Sequence, residues 1–305
     1  MKPGRWAAAV AAFALSVSGC ATGAWEEGST TWVIATTNFS ETNILAQMYK
    51  QEMEHNGLTA EIKQLSNREV IVPALESGEV QITPEYLSSF TEFVNKQIHG
   101  STATPVASGD ADATYAAALP LAAQKNVTLL TPSAAQDQNA FAVTAEYAAK
   151  YNLVNVSDLA ALSQNQAVTL GGPPECPKRP FCQPGLEQTY GVKVASFVPL
   201  DAGGPLTVES LKQGKIDVGL VFSSSGSVAG NNLVVLKDDK HLQNAENITP
   251  AVYTPALNDQ VRASLDAVSA VLTTEDLQRM NQAVEVERQN PRLVAQDFLT
   301  SKGLL

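Results

Sequence analysis

The 305-residue sequence is poor in histidine, cysteine and positive charge. It has three histidines and three cysteines, and its 31 aspartates and glutamates outnumber its 20 lysines and arginines, so that the net charge is −11. An acidic chain without a basic block argues against nucleic acid as a partner. No run beyond the N-terminal residues is apolar enough for a membrane-spanning helix. The composition therefore disfavours nucleic-acid-binding and membrane-embedded proteins. Proteins that bind small molecules and enzymes that act on them both remain open.

Signatures of catalysis are also scarce. His55, His99 and His241 lie on or after predicted helices or near a predicted chain crossing, and none lies near a candidate nucleophile in the sequence. The pairs Gly171-Gly172 and Gly203-Gly204 lack the spacing of phosphate-binding loops. We therefore predict a protein that is not an enzyme and holds no cofactor or metal. Because catalytic triads assemble in space, an extracytoplasmic hydrolase remains an alternative, as does a purely structural envelope lipoprotein.

The N-terminus has the pattern of a secretory signal. Lys2 and Arg5 precede a short apolar run, and small residues precede Cys20. The ending Val-Ser-Gly-Cys resembles a bacterial lipobox, which implies cleavage before Cys20 and lipidation of its thiol. We predict a signal peptide at 1–19, a lipidated tether at 20–31, and an extracytoplasmic protein anchored to the cell membrane by its N-terminal lipid. Plain secretion with a free thiol is the alternative. Loss of the signal peptide would shift the net charge to −13.

Two further cysteines lie close together in a proline-rich loop. Cys176 and Cys182 are separated by five residues. Outside the cytoplasm such a pair is expected to oxidise, so we predict a disulfide that closes the loop. Metal binding is the weaker interpretation, because zinc usually takes four ligands and no histidine lies near this pair.

The mature chain of about 285 residues exceeds one comfortable hydrophobic core. Strands and helices alternate in two series, separated by chain crossings predicted near 136–140 and 233–239. This order predicts an α/β protein of two lobes, with residues 32–135 and 238–305 in lobe 1 and residues 136–237 in lobe 2. A small-molecule ligand is expected in the cleft between the lobes.

The first strand, turn and helix, within residues 32–49, have the features of a ligand-binding corner. An apolar strand ends in a polar turn, and the spacing of the apolar residues that follow predicts a helix. Ser40, Thr42 or Asn38 can cap this helix. The turn also exposes the Phe39 ring, and ligands bind beyond the carboxyl ends of strands in open α/β sheets. An ordinary strand-to-helix loop is the alternative interpretation.

An internal repeat relates two distant stretches, residues 75–89 and 211–224. In both, a helix ends at a glycine, a short strand follows, and an aromatic residue comes eight positions after that glycine, with serines close behind it. The aromatic residues are Tyr86 and Phe222, at the carboxyl ends of their strands. If the lobes are similar, these rings face each other across the cleft. The alternative is that the pattern is generic and both rings belong to the core.

Several motifs together resemble the osmoprotectant-binding lipoproteins of ABC importers, of the glycine betaine and choline type. The resemblance spans about residues 33–305. It is carried by Asn-Phe-Ser-Glu at 38–41, Pro-Glu-Tyr at 84–86, and the stretches 69–75, 135–143, 199–207, 233–241 and 298–305. It implies a type II periplasmic-binding-protein fold that captures a compatible solute, such as glycine betaine, choline or carnitine, by lobe closure. The implied partner is a membrane permease driven by a cytoplasmic ATPase, and we expect a monomer.

The resemblance also implies a ligand site. Tyr86 matches the tyrosine of the family's Pro-Glu-Tyr motif, and a quaternary ammonium, which donates no hydrogen bonds, is held by aromatic faces. We expect the apolar or cationic part of the ligand to contact the rings of Tyr86 and Phe222. The other predicted ligand-binding residues, mostly polar, are Asn38, Phe39, Ser40, Thr42, Gln136, Asn139 and Ser223.

The sequence departs from the family pattern at five of these positions or close to them. Phe222 stands where the family often has tyrosine, Asn139 stands where some members have another tyrosine, and Thr42 replaces a glutamine. Ser225 and Ser227 replace the usual aspartate and arginine. The aromatic cage is therefore depleted. Either the ligand is a betaine held more weakly, or it is a less cationic, more hydroxylated solute.

Overall fold

The computed structural model describes residue 1 and residues 31–174, 176–201 and 203–305. The predicted signal peptide beyond its first residue, the lipidation site Cys20, and the tether up to residue 30 lie outside the described residues. The rest forms two five-stranded sheets covered by helices. This arrangement confirms the predicted α/β class with two lobes. Within the described part of the chain, no helix is both long and apolar enough to cross a bilayer.

The first sheet has the strand order β2-β1-β3-β10-β4. Its strands are β1 Thr31–Thr36, β2 Thr59–Gln64, β3 Ile82–Tyr86, β4 Val127–Leu129 and β10 Ile248–Tyr253. β1 is parallel to β2 and β3, whereas β10 runs antiparallel to β3 and β4. Strands β1 and β3 therefore end at the same edge of the sheet, where ligands bind in such folds.

Helices cover both faces of the first sheet because successive residues of β1 point in opposite directions. Ile34 belongs to a core cluster with apolar residues of the first and the last helices, whereas Ala35 belongs to a second cluster on the other side. The helices that pack on the Ile34 side are α1 Ser40–His55, α10 Asp259–Val271, α11 Thr274–Glu285 and α12 Pro291–Ser301. Those on the Ala35 side are α2 Arg68–Glu76, α3 Leu87–His99 and α4 Ala111–Ala123.

The second sheet has the strand order β7-β6-β8-β5-β9. Its strands are β5 Asn139–Thr144, β6 Val168–Gly172, β7 Val194–Pro199, β8 Val218–Phe222 and β9 Leu233–Leu236. Its helices are α5 Ala145–Tyr151, α6 Val156–Leu162, α7 Gln183–Gly185, which continues as a π-helical turn, α8 Pro205–Lys212 and α9 Gly226–Gly230. The structure contains the predicted Cys176–Cys182 disulfide, in the loop between β6 and α7.

The two sheets share one topology, which gives the internal repeat of the sequence a structural meaning. β3 and β8 are the central strands, each is parallel to the strand on one side, and each pairs on its other side with an antiparallel strand, β10 or β5. Tyr86 is the last residue of β3 and Phe222 the last of β8. The repeat therefore corresponds to equivalent positions in two similar sheets.

The chain passes between the sheets twice. The first crossing follows β4, close to the predicted position, and the second lies in residues 237–247. Our placement of the second crossing at 233–239 was wrong in its first half, because Leu233–Leu236 pairs with β5 as an edge strand of the second sheet. The crossings meet where Gln136 and Asn247 form an antiparallel bridge. The exact division of the chain into lobes at 135/136 and 237/238 remains a prediction.

Candidate functional site

The corner between β1 and α1 presents Phe39 to the space between the sheets. α1 begins at Ser40 with Phe39 as its N-cap residue, and no side-chain capping hydrogen bond forms there. The predicted capping by Ser40, Thr42 or Asn38 was therefore wrong. The Thr42 hydroxyl instead shares a 2.9 Å hydrogen bond with the Thr37 hydroxyl, and the Phe39 N–H donates to Thr37 Oγ1. These bonds hold the turn, and the Phe39 side chain stays 41% exposed.

Three cavities surround this space. We name them after one lining residue each: the Pro205 cavity of about 440 Å³, the Asp137 cavity of about 400 Å³ and the Thr37 cavity of about 200 Å³. Phe39 lines both the Pro205 and Thr37 cavities, and Phe222 lines both the Pro205 and Asp137 cavities. Tyr86 lines the Asp137 and Thr37 cavities. Each of the three rings thus lines two of the three cavities, which together we call the cleft.

The nine predicted ligand-binding residues divide into two groups. Five of them line these cavities: Phe39, Thr42, Tyr86, Asn139 and Phe222. The other four are not among the residues that line the three cavities: Asn38, Ser40, Gln136 and Ser223. Asn139 pairs with Phe222 in adjacent strands, and both residues line the Asp137 cavity.

Ser223 has a role that the sequence pattern did not reveal. Its hydroxyl donates to the Gln136 carbonyl at 3.0 Å, and its N–H donates to the Gln138 carbonyl at 2.8 Å. Its own carbonyl accepts from Gln278 Nε2 at 2.7 Å, and the Gln138 N–H donates to its Oγ. Ser223 therefore joins the end of β8 to the Gln136 backbone in the first crossing, and its own polar groups bond to protein partners.

A buried polar network connects the two sheets behind the rings. Tyr86 Oη donates to Glu41 Oε1 at 2.7 Å, and Asn281 Nδ2 donates to Glu41 Oε2 at 2.7 Å. The same Nδ2 also donates to the Ser224 carbonyl at 2.9 Å. The Ser224 hydroxyl donates to Asp137 Oδ1 at 2.7 Å. The network therefore links the first turn of α1, helix α11, the end of β8 and the first crossing.

This network holds two carboxyl groups away from water, and burial disfavours their charged forms. Burial raises the pKa of Glu41, although the hydrogen bonds from Ser224, Tyr86 and Asn281 oppose the shift. Burial and the nearby Glu41 carboxyl raise the pKa of Asp137 to about 8. Burial and the same carboxyl hold the pKa of the Tyr86 phenol well above its usual range, so the phenol stays neutral and donates.

The lining of the cleft is acidic. Among the described residues that line the three cavities, Arg68 is the one cation, and its Nη2 is paired with Glu85 Oε2 at 2.7 Å. Five carboxylate side chains line the same cavities: Glu85, Asp137, Glu209, Glu246 and Glu285. Such a surface attracts a cationic group and repels an anion.

Sequence reasoning missed several of these residues, namely Arg68, Asp137, Phe181, Ser224, Glu246 and Asn281. Asp137 lies inside the stretch 135–143, which the family resemblance had already singled out. Arg68 had a weaker signal: Glu85 directly precedes Tyr86 at the end of a predicted strand, and a carboxylate that becomes buried there requires a partner. Asn281 lies 240 residues after Glu41, and no local pattern indicates that these two side chains meet.

The comparison with known proteins agrees with this geometry. Residues 30–301 match the family described as the substrate binding domain of ABC-type glycine betaine transport systems. The chain belongs to this family. It is a substrate-binding protein of an ABC-type transporter, and such proteins work on the extracytoplasmic side of the membrane.

Curated relatives and solved structures resemble the chain over most of its length. The glycine betaine-binding protein YehZ of Escherichia coli K12 is 27% identical over 274 residues, which cover 87% of this chain and 88% of YehZ. The carnitine transport binding protein OpuCC of Listeria monocytogenes is 24% identical and covers 85% of this chain and 83% of its own. A crystal structure described as a glycine betaine/carnitine/choline ABC transporter superposes with a TM-score of 0.79 at 23% identity, covering 90% of this chain and 99% of that one. The structural likeness confirms the two-lobed fold.

Proposed function

We propose that this protein captures a quaternary ammonium solute of the glycine betaine, choline and carnitine class and delivers it to a membrane permease. The single observation that carries the proposal is that Phe39, Tyr86 and Phe222 each line two cavities of one cleft rich in carboxyl groups. The names of the relatives, which refer to glycine betaine and carnitine, support the same ligand class.

The chemistry of the cleft suits this ligand. A trimethylammonium group cannot donate a hydrogen bond, so a site for it needs aromatic faces and negative charge rather than acceptors in fixed directions. A phenyl ring offers such a face without a hydroxyl, so Phe222 serves where a tyrosine is usual. Carboxyl groups within reach of the cleft, Asp137 foremost, ionise more readily beside a positive charge and then offset it in an environment that is screened from water. The depleted tyrosine cage is therefore compatible with a cationic ligand.

Capture requires that the two halves close on the solute. We take residues 32–135 and 238–305 as lobe 1, residues 136–237 as lobe 2, and the two crossing segments as the hinge. Closure shields the ligand from water, and the permease recognises the closed form. Lipidation at Cys20 would keep a monomeric binding protein close to that permease. No chemical step on the solute is part of this role.

The proposal is tested by titration calorimetry of the purified protein with glycine betaine, choline and carnitine. We expect heat of binding from at least one of them and a matching rise in melting temperature, because a ligand that binds only the folded form stabilises it. Tyr86→Ala and Phe222→Ala should each weaken binding at least tenfold, whereas Tyr115→Ala, which removes a ring outside the cleft, should not. Absence of binding by all three solutes would refute the proposal.

A further inference from the structure

A fourth aromatic ring reaches the cleft from a part of the chain to which no ligand role had been assigned. Phe181 lies in the loop that the Cys176–Cys182 disulfide closes, and its side chain is 42% exposed. It lines the Asp137 cavity together with Tyr86 and Phe222. A phenylalanine side chain in contact with water forgoes the free energy that burial would provide. Several exposed aromatic side chains around one cavity therefore indicate a binding surface.

The backbone around Phe181 is fixed from both sides. Its carbonyl accepts a 3.0 Å hydrogen bond from Gln243 Nε2, and the Gln243 N–H in turn donates to Asp238 Oδ2 at 2.7 Å. On the other side, the Cys182 N–H donates to the Arg179 carbonyl at 3.0 Å. The Gln243 bond attaches the loop to the second crossing and the Cys182 bond tightens the loop itself, so Phe181 is held beside the second crossing.

The loop also packs too tightly to move freely. Both half-cystines are buried in the core of the second sheet. At Gly185, just after the loop, a Cβ atom would lie 2.4 Å from the Pro180 carbonyl oxygen and 2.5 Å from Leu242 Cδ1. A short closed loop pressed on its neighbours has little conformational entropy left to lose when a ligand arrives. The disulfide therefore supports the Phe181 ring, because Phe181 directly precedes Cys182 in the chain.

We infer that Phe181 is a ligand-contacting ring of this cleft, and that the Cys176–Cys182 bridge positions it. The inference rests on the proposed function, since it assigns the ring to the same cationic ligand. The inference also offers a replacement for the tyrosine that some family members have at position 139. Asn139 brings no ring to the Asp137 cavity. Phe181 brings a π face to that cavity from a loop rather than from the sheet.

The test separates the π face from plain apolar contact. Calorimetry with choline and with its uncharged isostere 3,3-dimethylbutan-1-ol would compare the wild type with Phe181→Leu, which keeps apolar bulk but removes the ring. We expect choline to bind roughly threefold to thirtyfold more weakly, the range of a cation–π contact from exposed to desolvated sites, and the neutral isostere to change much less. Phe197→Leu, the same change at a half-buried position of strand β7 away from the cavities, should leave both affinities unchanged.

A double-mutant cycle tests the role of the bridge. The Cys176→Ser/Cys182→Ser variant should weaken choline binding to a similar extent, and opening the loop in the Phe181→Leu background should cost little more. Unchanged choline affinity in Phe181→Leu would overturn the inference while leaving the proposed function intact. A wild-type protein that binds neither choline, glycine betaine nor carnitine would overturn both. Strictly additive losses in the cycle would refute the positioning role of the disulfide.

Discussion

Tyr86 Oη donates a 2.7 Å hydrogen bond to Glu41 Oε1. The bond connects a ring at the wall of the cleft to a carboxyl group that has no exposure to solvent. Because Glu41 lies in the first turn of α1 and Tyr86 at the end of β3, the bond also fixes the relative position of two elements that form the cleft. The orientation of the Tyr86 ring is thus determined before any ligand binds.

Removing the Tyr86 hydroxyl while keeping its ring should lower stability more than affinity. In Tyr86→Phe, Glu41 loses one of its buried donors, which costs about 1–3 kcal/mol in the free energy of unfolding. Choline binding should fall far less than in Tyr86→Ala, because the π face remains. Tyr115→Phe is the control: it removes a 3.2 Å bond from a half-buried tyrosine to the Leu129 carbonyl and should cost less than 1 kcal/mol. Urea denaturation and calorimetry measure the two effects, and equal stability losses would contradict the role given to Glu41.

The raised pKa of Asp137 makes both stability and binding depend on pH. The nearby Glu41 and Glu246 carboxyls add to burial in raising this pKa from 3.8 to about 8, while Ser224 opposes the shift. Between these values the folded protein binds the proton more tightly than the unfolded chain does, so stability should fall as pH rises from about 4 to about 8. Each pKa unit corresponds to about 1.4 kcal/mol, so the fall amounts to a few kcal/mol. Chemical denaturation across this pH range measures it.

A cationic ligand reverses the preference of Asp137, because a nearby positive charge favours the ionised carboxylate. We therefore expect choline affinity to rise with pH up to about 8, with release of a proton on binding that calorimetry in two buffers of different ionisation enthalpy detects. Asp137→Asn should bind choline more weakly and with a much flatter pH profile. Asp112→Asn, at an exposed acid of α4, should leave the wild-type profile intact. An unchanged profile in Asp137→Asn would assign the titration to another group.

Close contact between α9 and α11 should make Gly226 intolerant of a side chain. A Cβ atom there would lie 2.3 Å from the Gln282 backbone nitrogen, and a backbone atom cannot move aside locally. Gly226→Ala should therefore separate the helices and destabilise the protein by about 1–3 kcal/mol. Gly230→Ala lies in the same helix, but its Cβ would lie 3.5 Å from side-chain atoms of Gln282, and it should be nearly neutral. Melting temperatures of the two variants compare them directly, and similar values would show that the contact carries little strain.

The Arg68–Glu85 pair should be costly to break because Glu85 is buried. Its side chain is 5% exposed, and both Arg68 Nε and Nη2 donate to its Oε2. Arg68→Met leaves this charge unpaired and should cost about 3–5 kcal/mol. The exposed Lys63–Glu79 pair has the same 2.7 Å separation, but Lys63→Met should cost less than 1 kcal/mol. Arg68→Met combined with Glu85→Gln should recover much of the loss in urea denaturation, and failure to do so would point to lost packing instead.

Much of the fold was predictable because local pattern and global topology agree. The helix that ends at Gly78 and the one that ends at Gly214 are each followed by a strand whose last residue is aromatic, and the structure has this order at equivalent places in two sheets. The predicted disulfide followed from spacing and compartment alone. The second crossing was misplaced because the apolar residues of β9 are equally compatible with a connecting strand and with an edge strand. Only the pairing of β9 with β5 decides between the two.

The site was less predictable than the fold, because its side chains come from distant parts of the sequence. Asn281 and Glu41 meet through the packing of α11 on α1, and Phe181 lines the same cavity as Tyr86 only because a closed loop is attached to the second crossing. The hydroxyl groups of two predicted ligand-binding residues also bond within the protein, Ser223 to the first crossing and Thr42 to its own turn. Their assignment to the ligand stays a prediction. Their short polar side chains bond readily to a nearby backbone or hydroxyl group, and sequence pattern alone does not reveal it.

The Asn281 amide bonds at once to Glu41 beside the first sheet and to the Ser224 carbonyl beside the second. The sheets cannot part at this point without stripping a buried donor of one of its acceptors, at about 1–3 kcal/mol. This hydrogen bond therefore favours the arrangement in which the two sheets are close together. Its cost is small enough that thermal motion breaks it in a minor fraction of the molecules, so the open arrangement is accessible without any force from the transporter.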